Sequence, residues 1–226
     1  MSTIRYLILM LQFVFTVSFT ILLMFLFNKH NHKIRKTWAK IQLKFLGIKL
    51  VFDGKMSQEA KIFVFNHQSL LDIIIFEAIS KENLAWIAKK QIANLPFLGQ
   101  ILKLPDMIII DRENKTGLIK LLKETKRHLE INKRPIAIFP EGTRSSGKQM
   151  LKFKQGAKLI ANKYEAIVQP IVISGSRDCV DSLNLKASSG TVYIKYMDTI
   201  KASKDSLWFE DMEKDMNSEF EKLQRL

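Results

Sequence analysis

The chain begins with an uncharged apolar stretch that is long enough to cross a lipid bilayer. Tyr6–Phe27 contains 22 residues and no Asp, Glu, Lys or Arg. A helix of this length would span about 33 Å, and the hydrocarbon core of a bilayer is about 30 Å thick. A secretory signal has a shorter apolar region and a small-residue cleavage site, whereas Asn28 and Lys29 follow here. We therefore expect an uncleaved anchor, either a full span or part of an in-plane or re-entrant helix pair.

A basic amphipathic segment follows the apolar stretch. Residues 1–52 contain eight Lys or Arg side chains and no Asp or Glu, so they carry most of the net charge of +14. A helix over residues 33–48 would place lysines on one side and apolar residues on another. It predicts binding to an anionic leaflet, where each lysine adds about 1 kcal/mol, although a solvated helix can have the same pattern. Basic residues after the apolar stretch place the rest of the chain on the cytoplasmic side. The lysines are Lys36, Lys40 and Lys44, and the apolar residues are Trp38, Ile41, Phe45 and Ile48.

From residue 60 onward, short apolar runs alternate with helical patterns, which is typical of an α/β fold. We predict a mixed, largely parallel sheet flanked by helices, preceded by an N-terminal hydrophobic and amphipathic helical membrane segment. The predicted domains are residues 1–52, which form membrane-anchoring helices, and residues 53–226, which form the α/β domain. The predicted strands are Lys61–Phe65, Leu84–Ala88, Met107–Ile110, Pro135–Phe139, Ile167–Ile173 and Val192–Met197. The predicted helices are Leu70–Ile79, Thr116–Ile131, Gly156–Tyr164 and Asp205–Leu223.

A histidine and an aspartate stand five residues apart at the start of the first of these helices. On a continuous helix His67 and Asp72 would point about 140° apart and could not meet. If the helix begins with Ser69 as its N-cap, His67 lies on the incoming loop and Asp72 is the third helical residue. The carboxylate could then orient the imidazole as a general base. Ser69 and Asp72 also fit a capping box, which is a purely structural device, and the residues alone leave both interpretations open.

The segment after the predicted strand Pro135–Phe139 combines a carboxylate, a glycine and a guanidinium. A turn in which Gly142 exposes backbone N–H groups and Arg144 offers a bidentate fork can bind a phosphate monoester. Residues 142–148 also match the G-x-x-x-x-G-K pattern of the nucleotide-binding P-loop. However, Gln149 stands where a magnesium-binding Ser or Thr is required, and Glu141 would face the phosphates. A charged surface loop is the structural alternative.

A second arginine follows the apolar run Met107–Ile110. Arg112 would lie at the carboxyl end of a strand, where α/β sheets bind ligands, so it is another candidate phosphate contact. An ion pair between Asp111 and Arg112 or their neighbours is equally compatible with the sequence. Lys89 and Lys90 are either solvated or able to reach the phosphates of an acyl donor.

Four sequence blocks resemble those of the glycerolipid acyltransferases, and the chain is similar to the bacterial 1-acyl-sn-glycerol-3-phosphate acyltransferases. The similarity runs from about residue 60 to 175, and four ordered blocks form a specific pattern. After the fourth block Ile173 stands where the family often has another proline, and we expect this departure to affect an acyl channel and donor preference. The blocks are His67-x4-Asp72, Ile110-Asp111-Arg112, Phe139-Pro140-Glu141-Gly142-Thr143-Arg144-Ser145 and Val168-Gln169-Pro170-Ile171-Val172.

The resemblance implies an O-acyltransferase on the cytoplasmic side of the bacterial inner membrane. Such an enzyme moves a fatty acyl group from acyl-CoA or acyl carrier protein to the sn-2 hydroxyl of lysophosphatidate, which gives phosphatidate. His67, oriented by Asp72, would remove the proton of that hydroxyl, and Glu141 would orient an arginine or a glycerol hydroxyl. The implied substrate-binding residues are Arg112, Glu141, Gly142, Thr143 and Arg144.

No cofactor and no metal are expected. The histidines do not cluster with carboxylates at metal-ligand spacing, and Cys179, the only cysteine, excludes an internal disulfide. One alternative is an acyltransferase that acts on another lysophospholipid or on a lyso-aminolipid. A more distant alternative is a non-enzymatic, basic, membrane-bound protein that binds lipid or nucleic acid. The basic excess lies beside the anchor and no nucleic-acid motif is evident, so we expect no nucleic-acid partner.

Overall fold

The structure, a computed structural model, describes residues 2–111 and 116–226. The strands are β1 Ile48–Asp53, β2 Ile62–Phe65, β3 Ala85–Lys89, β4 Ile108–Ile110, β5 Ile136–Ile138, β6 Ile167–Ser174, β7 Val180–Asp181, β8 Lys186–Ala187, β9 Gly190–Tyr196 and β10 Ile200–Lys201. The helices are α1 Ser2–Leu26, α2 Asn31–Leu46, α3 Leu71–Ile79, α4 Lys90–Ala93, α5 Gln100–Lys103, α6 Thr116–Lys126, α7 Gly156–Lys163, α8 Ser176–Cys179 and α9 Trp208–Leu223. A 3-10 turn covers Asn28–His30, and a π-helix, Arg127–Ile131, continues α6.

Within the described residues, eight of the strands form one sheet in the order β1-β9-β6-β2-β5-β3-β4, and β10 pairs with the start of β6. The five strands from β6 to β4 run parallel. By contrast, β9 and β10 are antiparallel to β6, and β1 is parallel to β9. The prediction of a mixed, largely parallel sheet flanked by helices is confirmed. Each predicted strand and helix is present, with its ends within three residues of the predicted ones.

The central strand β2 explains why helices cover both faces of the sheet. Phe63 and Phe65 belong to the core cluster on the side of α1, α2 and α3. Ile62 and Val64 belong to the cluster on the side of α7 and α9. Successive side chains of a strand point to opposite faces, so a strand that is apolar throughout needs a packed layer on each side.

The parallel strands bring the predicted site residues to one edge of the sheet. His67 follows the end of β2, and the segment with Glu141 follows the end of β5. The end of β3 is Lys89, and β4 ends just before Asp111. The carboxyl ends of parallel strands lie at the same edge, which is the usual ligand-binding edge of an α/β sheet.

The first helix has one face packed on the domain and an opposite face that is bare and apolar. Tyr6–Leu26 is a candidate membrane span by its length and composition. Ile21 and Met24 are buried, whereas Leu11 and Phe15 are 73% and 75% exposed. Therefore α1 is part of the folded core as well as the most apolar surface of the described chain.

The second helix ends before the predicted position. Gly47, with φ +70°, ends α2 and donates its N–H to the carbonyls of Leu43 and Lys44. This left-handed conformation favours glycine. Ile48, which was predicted to lie on the helix, instead begins β1, and β1 pairs with β9. The sheet therefore takes an edge strand from within residues 1–52.

One residue of the predicted outward face of α2 points inward. Trp38 packs against Phe13 of α1, with ring centroids 5.5 Å apart. Its Nε1–H donates to the Thr16 hydroxyl at 3.2 Å. Ile41 and Phe45 are 56% and 53% exposed, so they are available for the predicted contact with a leaflet. An aromatic residue in a basic amphipathic helix fits either side, and here α1 supplies its partner.

Candidate active site

His67 and Asp72 are in direct contact. His67 Nδ1 lies 2.9 Å from Asp72 Oδ2, and the side chains are 15% and 0% exposed, respectively. His67 lies on the loop before α3, as expected. The regular helix begins at Leu71, one residue later than predicted, but Leu70 already has helical φ and ψ of −59° and −28°. Ser69 makes the contacts of an N-cap, as predicted, because its hydroxyl accepts the N–H of Leu71.

The Asp72 carboxylate also holds the loop backbone. Its Oδ2 accepts the N–H of Gln68 at 2.8 Å and the N–H of Ser69 at 2.9 Å, in addition to the imidazole. The bond to Ser69 resembles half of a capping box. In the other direction, Ser69 Oγ accepts the N–H of Leu71 at 3.2 Å and not that of Asp72. The structural and the catalytic interpretation of this pair are thus compatible, since one oxygen serves both.

The imidazole of His67 has a fixed orientation. An ionised carboxylate can only accept, so Nδ1 carries the shared hydrogen and the neutral ring keeps a lone pair on Nε2. One face of the ring stacks on Phe139, with centroids 3.9 Å apart and an interplanar angle of 20°. His67 also lines the large cavity at this edge of the sheet. The arrangement can present Nε2 as a base to a molecule in that cavity.

The backbone around His67 is tied to three other parts of the fold. Ser145 donates its N–H to the His67 carbonyl at 2.8 Å. The hydroxyl of Ser69 donates to the Val180 carbonyl at 2.6 Å. The Asn66 side chain donates to the carbonyl of Ile173 at 2.8 Å and accepts its N–H at 2.7 Å. These bonds join the histidine loop to β6, β7 and the segment after β5.

The Asn66 contact explains the residue that departs from the family pattern. Proline has no N–H, so it could not make the bond that Ile173 donates to Asn66. Ile173 is buried in β6, and the residues that line the cavity do not include Pro170, Ile171, Val172 or Ile173. The block therefore does not line the cavity beside His67, and its effect on an acyl channel and on donor preference stays a prediction. The contact of Ile173 with Asn66 shows that the block supports the histidine loop.

Glu141 differs most from its predicted role. It is 1% exposed, and its Oε1 accepts the N–H of His67 at 2.6 Å. Its Oε2 accepts the N–H of Leu151, also at 2.6 Å. A carboxylate so placed supports the loop backbone, and its partners among the described residues are backbone N–H groups rather than an arginine. Burial raises the pKa of Glu141 to about 7, although both backbone N–H groups oppose this shift.

Gly142, Thr143 and Arg144 lie together at the rim of the cavity. Gly142 has φ +74°, which lets the chain turn sharply after the buried Glu141. The Arg144 guanidinium is exposed and donates from NH1 to the Ser182 hydroxyl at 2.6 Å. The P-loop alternative is not supported, because the next helix, α7, begins only at Gly156.

Arg112, the second predicted phosphate contact, lies outside the described residues. Its neighbour Asp111 accepts a hydrogen bond from Lys90 Nζ at 3.1 Å. Lys90 therefore has an acidic partner, whereas Lys89 lines the cavity. Lys89 ends β3 and Lys90 begins α4, so both lysines lie at the same edge of the sheet as His67.

The cavity beside His67 has a volume of about 470 Å³. One of its walls is a stripe of side chains along α3 and the residue before it, spaced i, i+3, i+4 and i+7. The stripe consists of Leu70, Ile73, Ile74 and Glu77. Leu70 is near His67, and Glu77 lies about 10 Å further along the helix axis. Other walls come from α1, α2, β3 and the α4–α5 region. The lining also includes Phe13, Val17, Arg35, Trp38, Trp86, Ile87, Ile92, Leu95, Leu98, Ile101, Leu102 and Met107.

A buried polar cluster contributes to this otherwise apolar lining. Arg35 forms an ion pair with Glu77, and its NH2 group donates to Asn83 Oδ1 at 2.8 Å. Trp86 Nε1–H donates to Glu77 Oε1 at 2.8 Å. Our sequence analysis missed this cluster and the contribution of α1 to the cavity. Arg35 is 42 residues from Glu77 and 48 from Asn83 along the chain, so no local pattern joins it to α3. The only available signal was the helical stripe of α3.

The described part of the chain has no group of three or more His, Cys, Asp and Glu side chains that could hold a metal ion. Cys179 is buried, and burial raises the pKa of its thiol to about 11. The chemistry that the arrangement permits is therefore that of a positioned imidazole base beside an apolar cavity with a cationic and glycine-containing rim.

Comparison with known proteins gives consistent matches. A protein-family model described as Acyltransferase matches residues 27–174. The chain is 39% identical to the 1-acyl-sn-glycerol-3-phosphate acyltransferase of Helicobacter pylori over 86% of this chain and 83% of that protein. It is 30% identical to the proteins of the same name from Saccharomyces cerevisiae and Escherichia coli. Those matches cover 77% and 63% of this chain, and the chain spans 56% and 57% of these two relatives.

A solved structure has the same fold. It is the crystal structure of the 1-acyl-sn-glycerophosphate (LPA) acyltransferase PlsC from Thermotoga maritima, with a TM-score of 0.77 and 24% sequence identity. The match covers 99% of this chain and 98% of that one, so it includes the N-terminal helices as well as the sheet.

The buried Glu141 carboxyl generates a prediction about pH. Because its pKa is about 7 in the fold and 4.5 ordinarily, the folded chain binds this proton more tightly than the unfolded chain does. The stabilisation is fully present below pH 4.5 and is lost as the pH rises toward 7. We therefore expect the wild type to lose stability relative to Glu141→Gln as the pH rises from 4.5 to 7. The measurement is the difference between their free energies of unfolding in detergent.

The matched control is Glu82→Gln, which removes an exposed carboxylate. Its difference from the wild type should change little with pH over the same interval. If the Glu141→Gln and wild-type curves stayed parallel from pH 4.5 to 7, the raised pKa of Glu141 would be wrong.

Proposed function

Because the chain belongs to the acyltransferase family, we propose that it acylates the sn-2 hydroxyl of lysophosphatidate and releases phosphatidate. The acyl donor is acyl-CoA or acyl carrier protein. The observation that carries this proposal is the His67–Asp72 pair, 2.9 Å apart, at an apolar cavity with Arg144 on its rim. An alcohol, an acyl chain and a phosphate are the three parts of the reaction that such a site has to accommodate.

In the proposed reaction His67 acts as the base and the acceptor alcohol is the nucleophile. Nε2 takes the proton of the sn-2 hydroxyl while its oxygen attacks the thioester carbonyl carbon. The new C–O bond forms, the C–S bond breaks, and the imidazolium returns the proton to the leaving thiolate. Asp72 stabilises the imidazolium and keeps the hydrogen on Nδ1. No acyl-enzyme is required, and the chain has no G-x-S-x-G sequence.

The phosphate of the acceptor is proposed to bind at the rim formed by Gly142, Thr143 and Arg144, with Arg112 as a further contact. A guanidinium forms two parallel hydrogen bonds with a phosphate monoester. The turn at Gly142 supports backbone approach to the ligand. The apolar part of the cavity would hold a fatty acyl chain. The two arginines favour an acceptor with a phosphate monoester over the alternative lysophospholipids and lyso-aminolipids.

We also propose that residues 1–52 anchor residues 53–226, the catalytic domain, at the cytoplasmic face of the bacterial inner membrane. The exposed apolar face of α1 supports this assignment, as do the basic side chains that follow it. A lysophospholipid is an amphiphile and resides in the bilayer, so an anchored enzyme meets its acceptor there.

An acyl-transfer assay with the full-length protein tests the proposed function. Acyl-CoA and acyl carrier protein should be offered separately, each with a panel of lyso-acceptors. Lysophosphatidate should be preferred over a lysophospholipid whose phosphate is a diester. Equal rates with monoester and diester acceptors would favour the broader lysophospholipid alternative, and no transfer to any lyso-acceptor would refute the proposal.

His67→Ala should lower kcat by about 10²–10⁴-fold, because it removes the general base. Asp72→Asn should be comparably severe, since the carboxylate fixes the tautomer of the ring. Ser69→Ala is the control, because it removes a loop contact and leaves the His67–Asp72 pair in place. It should cost stability with little loss of kcat. A fully active His67→Ala enzyme would end the proposal, and an Asp72→Asn enzyme with normal kcat and lower stability would make Asp72 a structural residue only.

Arg144→Ala should raise the KM for lysophosphatidate by roughly 10- to 150-fold, because a charge-assisted contact contributes about 1.5–3 kcal/mol. Arg112→Ala should have a similar effect, and Arg144→Lys should not restore the wild-type value. Ser182→Ala is the control, since it removes only the hydroxyl that Arg144 contacts. Unchanged KM values in both alanine variants would show that this rim does not bind the phosphate.

Full-length protein should remain on anionic vesicles through a wash with about 1 M salt, which reduces the screening length to about 3 Å. Replacing Phe15, Phe19 and Phe25 on the exposed face of α1 by serine should make the binding salt-sensitive, because mainly electrostatic attraction remains. The control Lys40→Ala/Lys44→Ala should weaken the charge contribution but retain salt resistance. Release of the unaltered protein by salt alone would show that α1 is not inserted in hydrocarbon.

A further inference from the structure

A second group of apolar side chains is exposed outside the N-terminal helices. Residues 90–99, called here the 90–99 turn, connect β3 to α5 and include α4. In this turn Ile92, Leu95 and Phe97 are 46%, 49% and 54% exposed. Scattered apolar residues on a surface need no explanation, but three within six positions form a patch.

The backbone holds this patch in a defined shape. Phe97 has φ +57°, a left-handed conformation that is unfavourable for a bulky residue. At Gly99 a Cβ atom would lie 2.2 Å from the carbonyl oxygen of Ala93, so only glycine lets the turn close there. Unfavourable backbone conformations persist where surrounding structure imposes them, and they are frequent at functional sites. The turn therefore presents a phenylalanine to the outside in a conformation that costs energy.

The position of the turn relates it to the cavity. The turn follows the carboxyl end of β3, the edge of the sheet that also carries His67. Ile92 and Leu95 line the cavity, as do Phe13 and Val17 of α1, and α1 is in contact with α5. The cavity is thus bordered by α1 on one part of its wall and by the 90–99 turn on another, and both elements also have exposed apolar side chains.

The charges near the turn match a lipid surface. Residues 89–105 contain Lys89, Lys90 and Lys103 and no acidic residue, although Asp106 follows directly and Lys90 is paired with Asp111. An apolar patch with basic residues beside it is attracted to anionic headgroups and can place its side chains at the boundary with the acyl chains. A lipid surface accounts for exposed apolar side chains on both elements that border the cavity, α1 and the turn, whereas a protein partner would need them on only one.

We propose that the 90–99 turn is a second membrane contact, which places Phe97, Ile92 and Leu95 among the acyl chains of an anionic bilayer. The cavity then opens toward the bilayer between this turn and α1. A lysophospholipid could bring its hydroxyl and phosphate to the site while part of its chain stays in lipid. This inference rests on the proposed function.

A fluorescent label at position 97 tests the contact directly. Phe97→Cys in the full-length protein can be labelled with an environment-sensitive nitrobenzoxadiazole probe. Cys179 should not react, because it is 2% exposed and its thiol has a pKa of about 11. On vesicles of phosphatidylethanolamine and phosphatidylglycerol, the emission should shift to the blue and be quenched by lipids that carry a quencher on their acyl chains.

The control label is at Ile131→Cys. Ile131 is an apolar residue with 74% exposure, and it precedes β5, so it lies at the opposite end of the sheet from the site. Its probe should show the emission and the weak quenching of an aqueous environment on the same vesicles. If the probes at positions 97 and 131 behaved alike, the second membrane contact would be refuted.

Activity measurements provide an independent arm. Phe97→Asn keeps a residue that tolerates the left-handed backbone but removes the apolar ring. It should raise the KM for vesicle-embedded lysophosphatidate by roughly fivefold or more, while kcat and KM for detergent-dispersed substrate stay unchanged. Phe97→Leu should retain most of the wild-type behaviour on vesicles.

These outcomes separate the contact from the function itself. Equal losses on vesicles and in detergent would mean that Phe97 supports the fold of the site, and the proposal would be wrong. If the wild type transferred no acyl group even in detergent, the proposed function would fail, whereas the probe at position 97 would still report whether the turn meets lipid.

Discussion

One oxygen atom, Asp72 Oδ2, holds together the part of the structure on which the chemistry depends. It accepts hydrogen bonds from the His67 ring and from the N–H groups of Gln68 and Ser69. A fully buried carboxylate is costly unless donors replace its lost hydration, and here three donors converge on one oxygen. The other oxygen, Oδ1, is buried with no hydrogen-bond partner among the described residues. The loop therefore has little freedom to rearrange, because moving it would leave the buried charge without compensation.

A second buried carboxylate acts on the same histidine from the backbone side. Glu141 accepts the N–H of His67, and Ser145 donates to the His67 carbonyl, so the main chain of His67 is held at both ends. Two buried carboxylates this close disfavour each other's ionisation, and Asp72 contributes to the raised pKa of Glu141. Asp72 has three donors and Glu141 has two, so the two carboxylates together fix the loop that carries His67.

The sequence predicted the central strands of the sheet well because they are apolar on both faces, as the two core clusters that share β2 show. It also predicted the His67–Asp72 contact, because Ser69 and Asp72 stand at the spacing of a capping box, and the Asp72 oxygen that accepts the Ser69 N–H also accepts the imidazole hydrogen. The position of Glu141 could not be predicted from its neighbours, because Gly142 and Arg144 are at the rim and Glu141 is buried. The cavity was missed for a similar reason. Its walls combine α1, α2, α3 and β3, and periodicity within one element does not show which others will face it.

The two faces of α1 show what apolar composition alone leaves undetermined. A purely membrane-spanning anchor would need only length and hydrophobicity, and any apolar helix would then be an adequate substitute. In this fold the inner face of α1 carries Phe13 and Val17 to the cavity wall. Its Thr16 hydroxyl accepts hydrogen bonds from Trp38 and Gln42 of α2, which set the register of the two helices. The outer face is therefore fixed in orientation relative to His67. If lipid binds that face, it meets the cavity at a constant position, so the proposed attachment to a bilayer and the proposed access to His67 depend on the same helix packing.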